Sequence, residues 1–188
     1  MLSVEQGQKL IKLARESITI SFSGENLEPD SKIVSEFSEN QGVFVTLHED
    51  GKLRGCIGFP MPSLPLYEAV ISAAKSAAFQ DPRFSPIKEK ELGKIDLEIS
   101  VLTVPEEIKE KEFKKLNDII KIGRDGLIIK YGYASGLLLP QVATEYSWTV
   151  NEFLMHTCNK AGLDPFAWKQ EDVRLFKFQA QVFHENKK

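Results

Sequence analysis

The sequence predicts an α+β fold: a mostly antiparallel sheet with flanking helices. Three observations carry this. Runs of β-branched and aromatic residues are joined by short glycine-bearing turns, the pattern of hairpins. Amphipathic stretches with capping signals stand among them. The order mixes hairpins with helices rather than alternating strand and helix, which disfavours a doubly wound parallel sheet.

Ser3 and Gln6 have the spacing of a capping box, and Val4, Leu10, Ile11, Ala14 and Ile18 recur at helical period, predicting a helix from 4 to about 20. A short helix is expected over 30–38 after a polar loop. Val43 to His48 and Leu53 to Phe59 flank an Asp50-Gly51 turn signal and read as a hairpin. Ser63-Leu64-Pro65 opens a helix whose one face is Leu66, Ala69, Val70, Ala73, Ala74 and Ala77, so it can approach a neighbour closely. Asp81-Pro82 ends it. Ile95, Leu97, Ile99 and Val101 alternate with polar residues in a half-buried strand. A charged helix is expected over 106–116, then a hairpin from Ile119–Ile122 through Gly123–Gly126 to Leu127–Tyr131, and a short strand at Leu137–Leu139 stopped by Pro140. Thr149 and Glu152 form a second capping box, opening a helix that Gly162 stops. Phe176, Phe178, Ala180 and Val182 alternate in a last strand.

The 188 residues fit a single domain, 1–188, and at 42% apolar and 27% charged they have the balance of a soluble globular chain. No apolar run approaches the roughly 18 residues of a membrane span. Met1 to Gln6 lacks a basic region followed by an apolar core, so the cytoplasm is the expected location. With 24 basic against 27 acidic residues the net charge is −3, which argues against nucleic acid as a partner. The densest basic stretch, Lys109 to Lys115, is interrupted by Glu110 and Glu112 and reads as a solvated helix face. Two cysteines far apart in sequence, Cys56 and Cys158, make no disulfide framework. Three histidines without ligand spacing give no metal site, and no cofactor is implied.

The most unusual local sequence is Leu53-Arg54-Gly55-Cys56-Ile57-Gly58. Glycine within a strand marks a bulge or a close approach of backbone or ligand. In a regular strand Arg54 and Cys56 share a face, and a guanidinium beside a thiol favours the reactive thiolate. The opposing reading is a small buried hydrophobe, which is how Cys158 reads on the apolar face of its helix. Cysteine catalysis needs a base, usually His. His48 is expected to face Lys52, His156 to sit on a polar helix face and His184 near the charged tail; none reads as a partner. Glu145 offers a carboxylate. In Asp81-Pro82-Arg83-Phe84 the arginine fork suits a carboxylate or phosphate, or an internal ion pair that ties the loop down.

Five pieces come in one order along the chain: Gly42 to Leu47, Leu53 to Gly58, Asp81 to Phe84, Leu138 to Ala143 and Lys160 to Leu163. With them the sequence resembles the AMMECR1 family, whose signature is the Leu-Arg-Gly-Cys-Ile-Gly hexapeptide. Gln141 stands where some relatives carry Glu. The resemblance implies a larger and a smaller lobe within the one domain. It implies no particular reaction. Suggested roles of members lie in transcription, translation or RNA processing, and genomic links to Memo-like and radical-SAM-type proteins imply a partner in an enzyme system.

Two functions of different class follow. One is a regulatory or binding module, in which the glycine-bearing strand, with Gly55 and Gly58, and the loop carrying Asp81 and Arg83 recognise a protein partner or small ligand. The other is a cysteine-dependent enzyme or redox-active protein: Cys56 is the nucleophile, Arg54 stabilises its thiolate or an anionic substrate, and the amides near Gly55 and Gly58 cradle an oxyanion.

Overall fold

Ser3 and Gln6 form the expected capping box, and helix α1 runs Val4–Ser21 in the computed structural model, which describes residues 1–185. The chain divides into two units. Met1–Leu102 with the segment from Gln181 onward forms the first, and Thr103–Ala180 the second. Among the described residues no helix is long and apolar enough to cross a membrane.

In the first unit a short helix α2, Ser31–Glu36, capped by Asp30, follows α1. Strands β1, Gly42–Glu49, and β2, Lys52–Phe59, form the predicted hairpin, with Asp50 and Gly51 both at positive φ as a tight two-residue turn demands. Helix α3 is Leu66–Phe79. Its N-cap is Pro65, so the proline stands just outside the first turn rather than in it. A 3-10 segment, Glu89–Lys94, leads into β3, Ile95–Leu102. The strand order is β2-β1-β3, followed by the C-terminal part of β7, Arg174–His184, and β1 is antiparallel to both its neighbours. Helices α1 and α3 cover one face. Val43, Val45, Leu47, Leu97 and Ile99 meet Leu10, Ala14, Ile18 and the alanines of α3 there in one core.

The hairpin is not regular. Glu49 faces Lys52 and His48 faces Leu53, but Leu47 faces Gly55, so Arg54 is an extra residue in β2. Continuing regularly from the turn would set Cys56 opposite Val45, in the core. The bulge sets it opposite Thr46, on the other face. It also turns Gly55 toward α3, where a Cβ would lie 2.2 Å from the Ala77 carbonyl oxygen; only glycine lets the alanine-faced helix come so near.

The second unit has strand order β6-β5-β7-β4, where β4 is Glu106–Ile108, β5 Asp125–Tyr131 and β6 Ala134–Leu138. Its helices are α4, Phe113–Ile119, α5, Pro140–Glu145, and α6, Val150–Lys160. Leu116, Leu127, Ile129, Phe153, Cys158 and Trp168 are buried in its core. Four expectations are corrected. The charged stretch from 106 is not one helix: Glu106–Ile108 pairs antiparallel with β7, tied by the Glu107–Arg174 ion pair, and α4 begins only at Phe113. That stretch lacks an apolar period, so cross-strand pairing decides it. Its Lys111 is half-buried and hydrogen-bonds the Val173 carbonyl rather than lying on a solvated face, and desolvation lowers its pKa. Ile119–Ile122 is not a strand either, because the backbone of Lys121 closes a turn onto Asp125 and β5 pairs instead with β6 and β7. Pro140 does not merely stop β6; it is the first residue of α5.

Candidate functional site

Strand β2 lies at the edge of its sheet. An edge strand presents unpaired N–H and C=O groups, and natural proteins cover them. Here the loop after α3 does so. The Asp81 carboxylate accepts the Cys56 N–H at 2.9 Å, and Arg83 Nη2 donates to the Cys56 carbonyl at 3.1 Å, so one acid and one base take the place of a neighbouring strand. The two grip each other as well: Arg83 Nε and Nη2 reach the two Asp81 oxygens at 2.9 and 2.6 Å, and Arg83 N–H donates to Asp81 at 3.1 Å. The Asp81 side chain is 1% exposed and that of Arg83 51%. The Arg83 hydrogen bonds, with the Cys56 and Arg83 amides, hold the Asp81 carboxyl well below the usual carboxylate range against the cost of its burial. The arginine fork also lies over the Phe84 ring, 5.4 Å from its centroid.

The guanidinium that meets the cysteine is therefore that of Arg83. Arg54 is corrected from its expected place beside the thiol. As the bulge residue it escapes the regular alternation, and its guanidinium bonds Glu91 at 3.2 Å, the Ser85 carbonyl at 2.8 Å and stands 3.9 Å from Glu49. Its charge is spent on two carboxylates. Glu91 is held below its usual pKa by the Lys88 amide first and by Arg54 second.

Cys56 is half-buried, and the Thr46 hydroxyl, directly across on β1, donates to its Sγ at 3.4 Å. The Cys56 side chain and Arg83 also interact electrostatically. Gly58 makes room for the Phe44 ring, which would lie 2.5 Å from a Cβ there. Gly55 and Gly58 thus each admit a packing partner, one on each sheet face. Of the amides near Gly55 and Gly58 expected to cradle an oxyanion, that of Cys56 is already bonded to Asp81.

The histidines fall as follows. His48 faces Leu53, not Lys52, and so lies on the face of Thr46 and Cys56, one diagonal from the thiol. His184 Nδ1 stands 3.5 Å from Glu98, which faces Thr46 on the far side of β1. Counting strands at about 4.8 Å each puts it roughly 14 Å from Cys56, out of proton-transfer reach. His156 stacks on Trp148 at 4.0 Å in the second unit. Glu145 is also in that unit, exposed at the end of α5, while Arg54, Gly55, Cys56, Gly58, Asp81 and Arg83 all belong to the first. Sequence reasoning missed Thr46 and Glu91. Thr46 would have been found only by placing the bulge, and Glu91 carries no local signal. Among the described residues no cluster of three or more His, Cys, Asp or Glu is placed to hold a metal ion.

The crystal structure of the uncharacterised protein PH0010 from Pyrococcus horikoshii superposes with a TM-score of 0.90 at 46% identity, covering 97% of this chain and 92% of that one. A protein from Methanothermobacter thermautotrophicus is 48% identical, covering 98% of this chain and 97% of its own. Protein MJ0810 from Methanocaldococcus jannaschii is also 48% identical, over 98% and 92%. The AMMECR1 family model matches residues 11–183, a span that holds the Arg54 bulge, the thiol and the loop that caps it. On that span and those identities, the chain belongs to the AMMECR1 family.

Proposed function

We propose that this chain is a regulatory binding module that recognises an anionic group of a ligand or partner at Arg83, beside Cys56. The observation that supports this is the state of Arg83: buried Asp81 and the Cys56 carbonyl fix its orientation, yet half of the side chain stays exposed. A guanidinium held this way has given up its conformational freedom before binding, which favours a charge-assisted hydrogen bond from its remaining Nη1 to a carboxylate or phosphate. Asp81 satisfies one edge of the fork. Nη1 makes no hydrogen bond to an oxygen acceptor among the described residues. Memo-like or radical-SAM-type proteins remain the partner classes proposed. The test is titration with acetate, inorganic phosphate and a purified partner of those classes, following Arg83 Nε–H by NMR. Binding that Arg83→Ala removes supports the reading; binding that survives Arg83→Ala overturns it.

One observation favours the cysteine-dependent alternative: His48 shares the face of Cys56 at diagonal spacing, within reach of its side chain. Against it, the partner that the thiol has is a hydroxyl, Thr46, and His48 forms no hydrogen bond to it. Alkylation of Cys56 that slows at least about tenfold in His48→Gln, with the fold unchanged, would favour this alternative.

A further inference from the structure

The cap on the β2 edge is short. Because the Cys56 N–H and C=O point away from β1, the alternation of an antiparallel ladder sends those of Gly58 the same way, about 7 Å farther along the edge. Neither Gly58 group has a hydrogen-bond partner among the described residues. Gly58 is only half-buried and has no side chain to shield its edge, and Pro60 ends the strand two residues on. The free edge is thus one residue long, with Arg83 at one end.

We infer that this edge docks the C-terminus of an extended peptide, its last residues pairing with Gly58 and its terminal carboxylate lying on Arg83. The inference rests on the anion-binding reading of Arg83 above and names the occupant. Direction follows from the geometry. Arg83 lies toward the N-terminal side of Gly58 on β2, so a peptide whose C-terminus points at Arg83 runs antiparallel to β2. Asp81 and Arg83 already occupy the outward groups of Cys56, so an added strand cannot continue past that residue. A chain that must stop there and leave a negative group against a guanidinium is a chain that ends in a carboxylate. A free anion would use Arg83 alone and ignore Gly58. An internal peptide segment would pair with Gly58 and run into the Asp81–Arg83 cap. The side chain opposite Gly58 shares its face with the Phe44 ring, which favours an aromatic or β-branched residue there.

The test uses the full chain, 15N-labelled, with acetyl-Gly-Val-Thr-Val bearing a free carboxylate, the same peptide as its C-terminal amide, and inorganic phosphate. The free acid is expected to shift both the Gly58 amide and Arg83 Nε–H, to bind at least about tenfold more tightly than the amide, and to lose that advantage in Arg83→Gln. Equal binding of acid and amide overturns the inference. So does a response at Arg83 to phosphate and peptide alike with Gly58 silent, although that result leaves Arg83 as an anion site. Silence at Arg83 toward every probe removes both readings. Arg83→Gln is preferred to a Gly58 substitution because any Cβ at 58 would lie 2.3 Å from the Val43 carbonyl and threaten the fold itself.

Discussion

Each unit holds one buried aspartate gripping a half-exposed arginine, and each holds one cysteine. In the first, Asp81 and Arg83 have side-chain exposures of 1% and 51%; in the second, Asp125 and Arg124 have 2% and 51%. Both arginines use Nε and Nη2 on the carboxylate. As isolated ion pairs the two are the same object. Their wiring differs. Asp125 accepts the Lys121 N–H and so closes a local turn four residues back. Asp81 accepts an N–H from 25 residues away and seals a sheet edge beside a half-buried thiol. The cysteine of the second unit, Cys158, is fully buried in the core, where burial pushes its thiol pKa up. Charge type and exposure, alike in the two pairs, do not distinguish them. What matters is which backbone the fixed arginine borders.

The largest contrast is expected in thiol labelling. Cys56 should alkylate in the native protein, while Cys158 should wait for unfolding or large-scale opening and label at least about a hundredfold more slowly, read by mass spectrometry of the two peptides. Comparable rates would break the distinction between the two thiols.

Next is the loss of the anchoring carboxylate. Asp81→Ala should cost about 2 kcal/mol in denaturant unfolding, chiefly from leaving the Cys56 N–H without an acceptor. The ion pair adds little, since Arg83 is half exposed and screened by water. Asp125→Ala should cost a similar amount through Lys121 but leave anion binding at Arg83 unchanged. A common loss of binding in both variants would mean that the two pairs act as one.

Then comes the arginine itself. Arg83→Ala should weaken anion binding by about tenfold or more while Arg124→Ala leaves it unchanged, measured by titration with phosphate. The reverse order would move the site to the second unit.

The smallest effect is the acid limb. The folded-state pKa of Asp81 is depressed, so its contribution is present above the unfolded carboxylate value of about 4 and is lost as pH falls through the folded value. The stability difference between the native chain and Asp81→Asn should therefore be flat from about pH 5 to 8 and narrow below about pH 4. Asp125→Asn should narrow in the same direction: burial pushes the Asp125 pKa up, but Arg124 and the Lys121 amide outweigh it. A gap that widens on acidification would contradict the hydrogen-bonding seen at Asp81.

Much of the local architecture was legible in the sequence because its causes are local. The Ser3–Gln6 and Thr149–Glu152 capping boxes span three residues each and appear as read. Gly162, at φ +72°, ends α6 with its amide on Asn159 and that of Leu163 on Cys158, the left-handed stop that glycine favours. The same stop ends α5 at Ser147, φ +54°, and there a serine gave no signal. The hairpin turn at Asp50-Gly51 was also readable. The Arg54 bulge was not, and everything at the site depends on it: a one-residue shift moves Cys56 from the core face to the open face and takes Arg54 away from it.

The sequence by itself determined the α+β class, the family, the helix ends with capping side chains and the strands with clean alternation, because each rests on contacts within a few residues or on matching the order of motifs. Only the tertiary structure decided that Glu106–Ile108 is a strand, that Arg83 rather than Arg54 borders the thiol, and that Asp81 and Arg83 act as the missing neighbour of β2. Those outcomes turn on pairing register and on hydrogen bonds between residues tens of positions apart. Such bonds form only once hydrophobic burial has brought the segments together, so no short window of sequence records them.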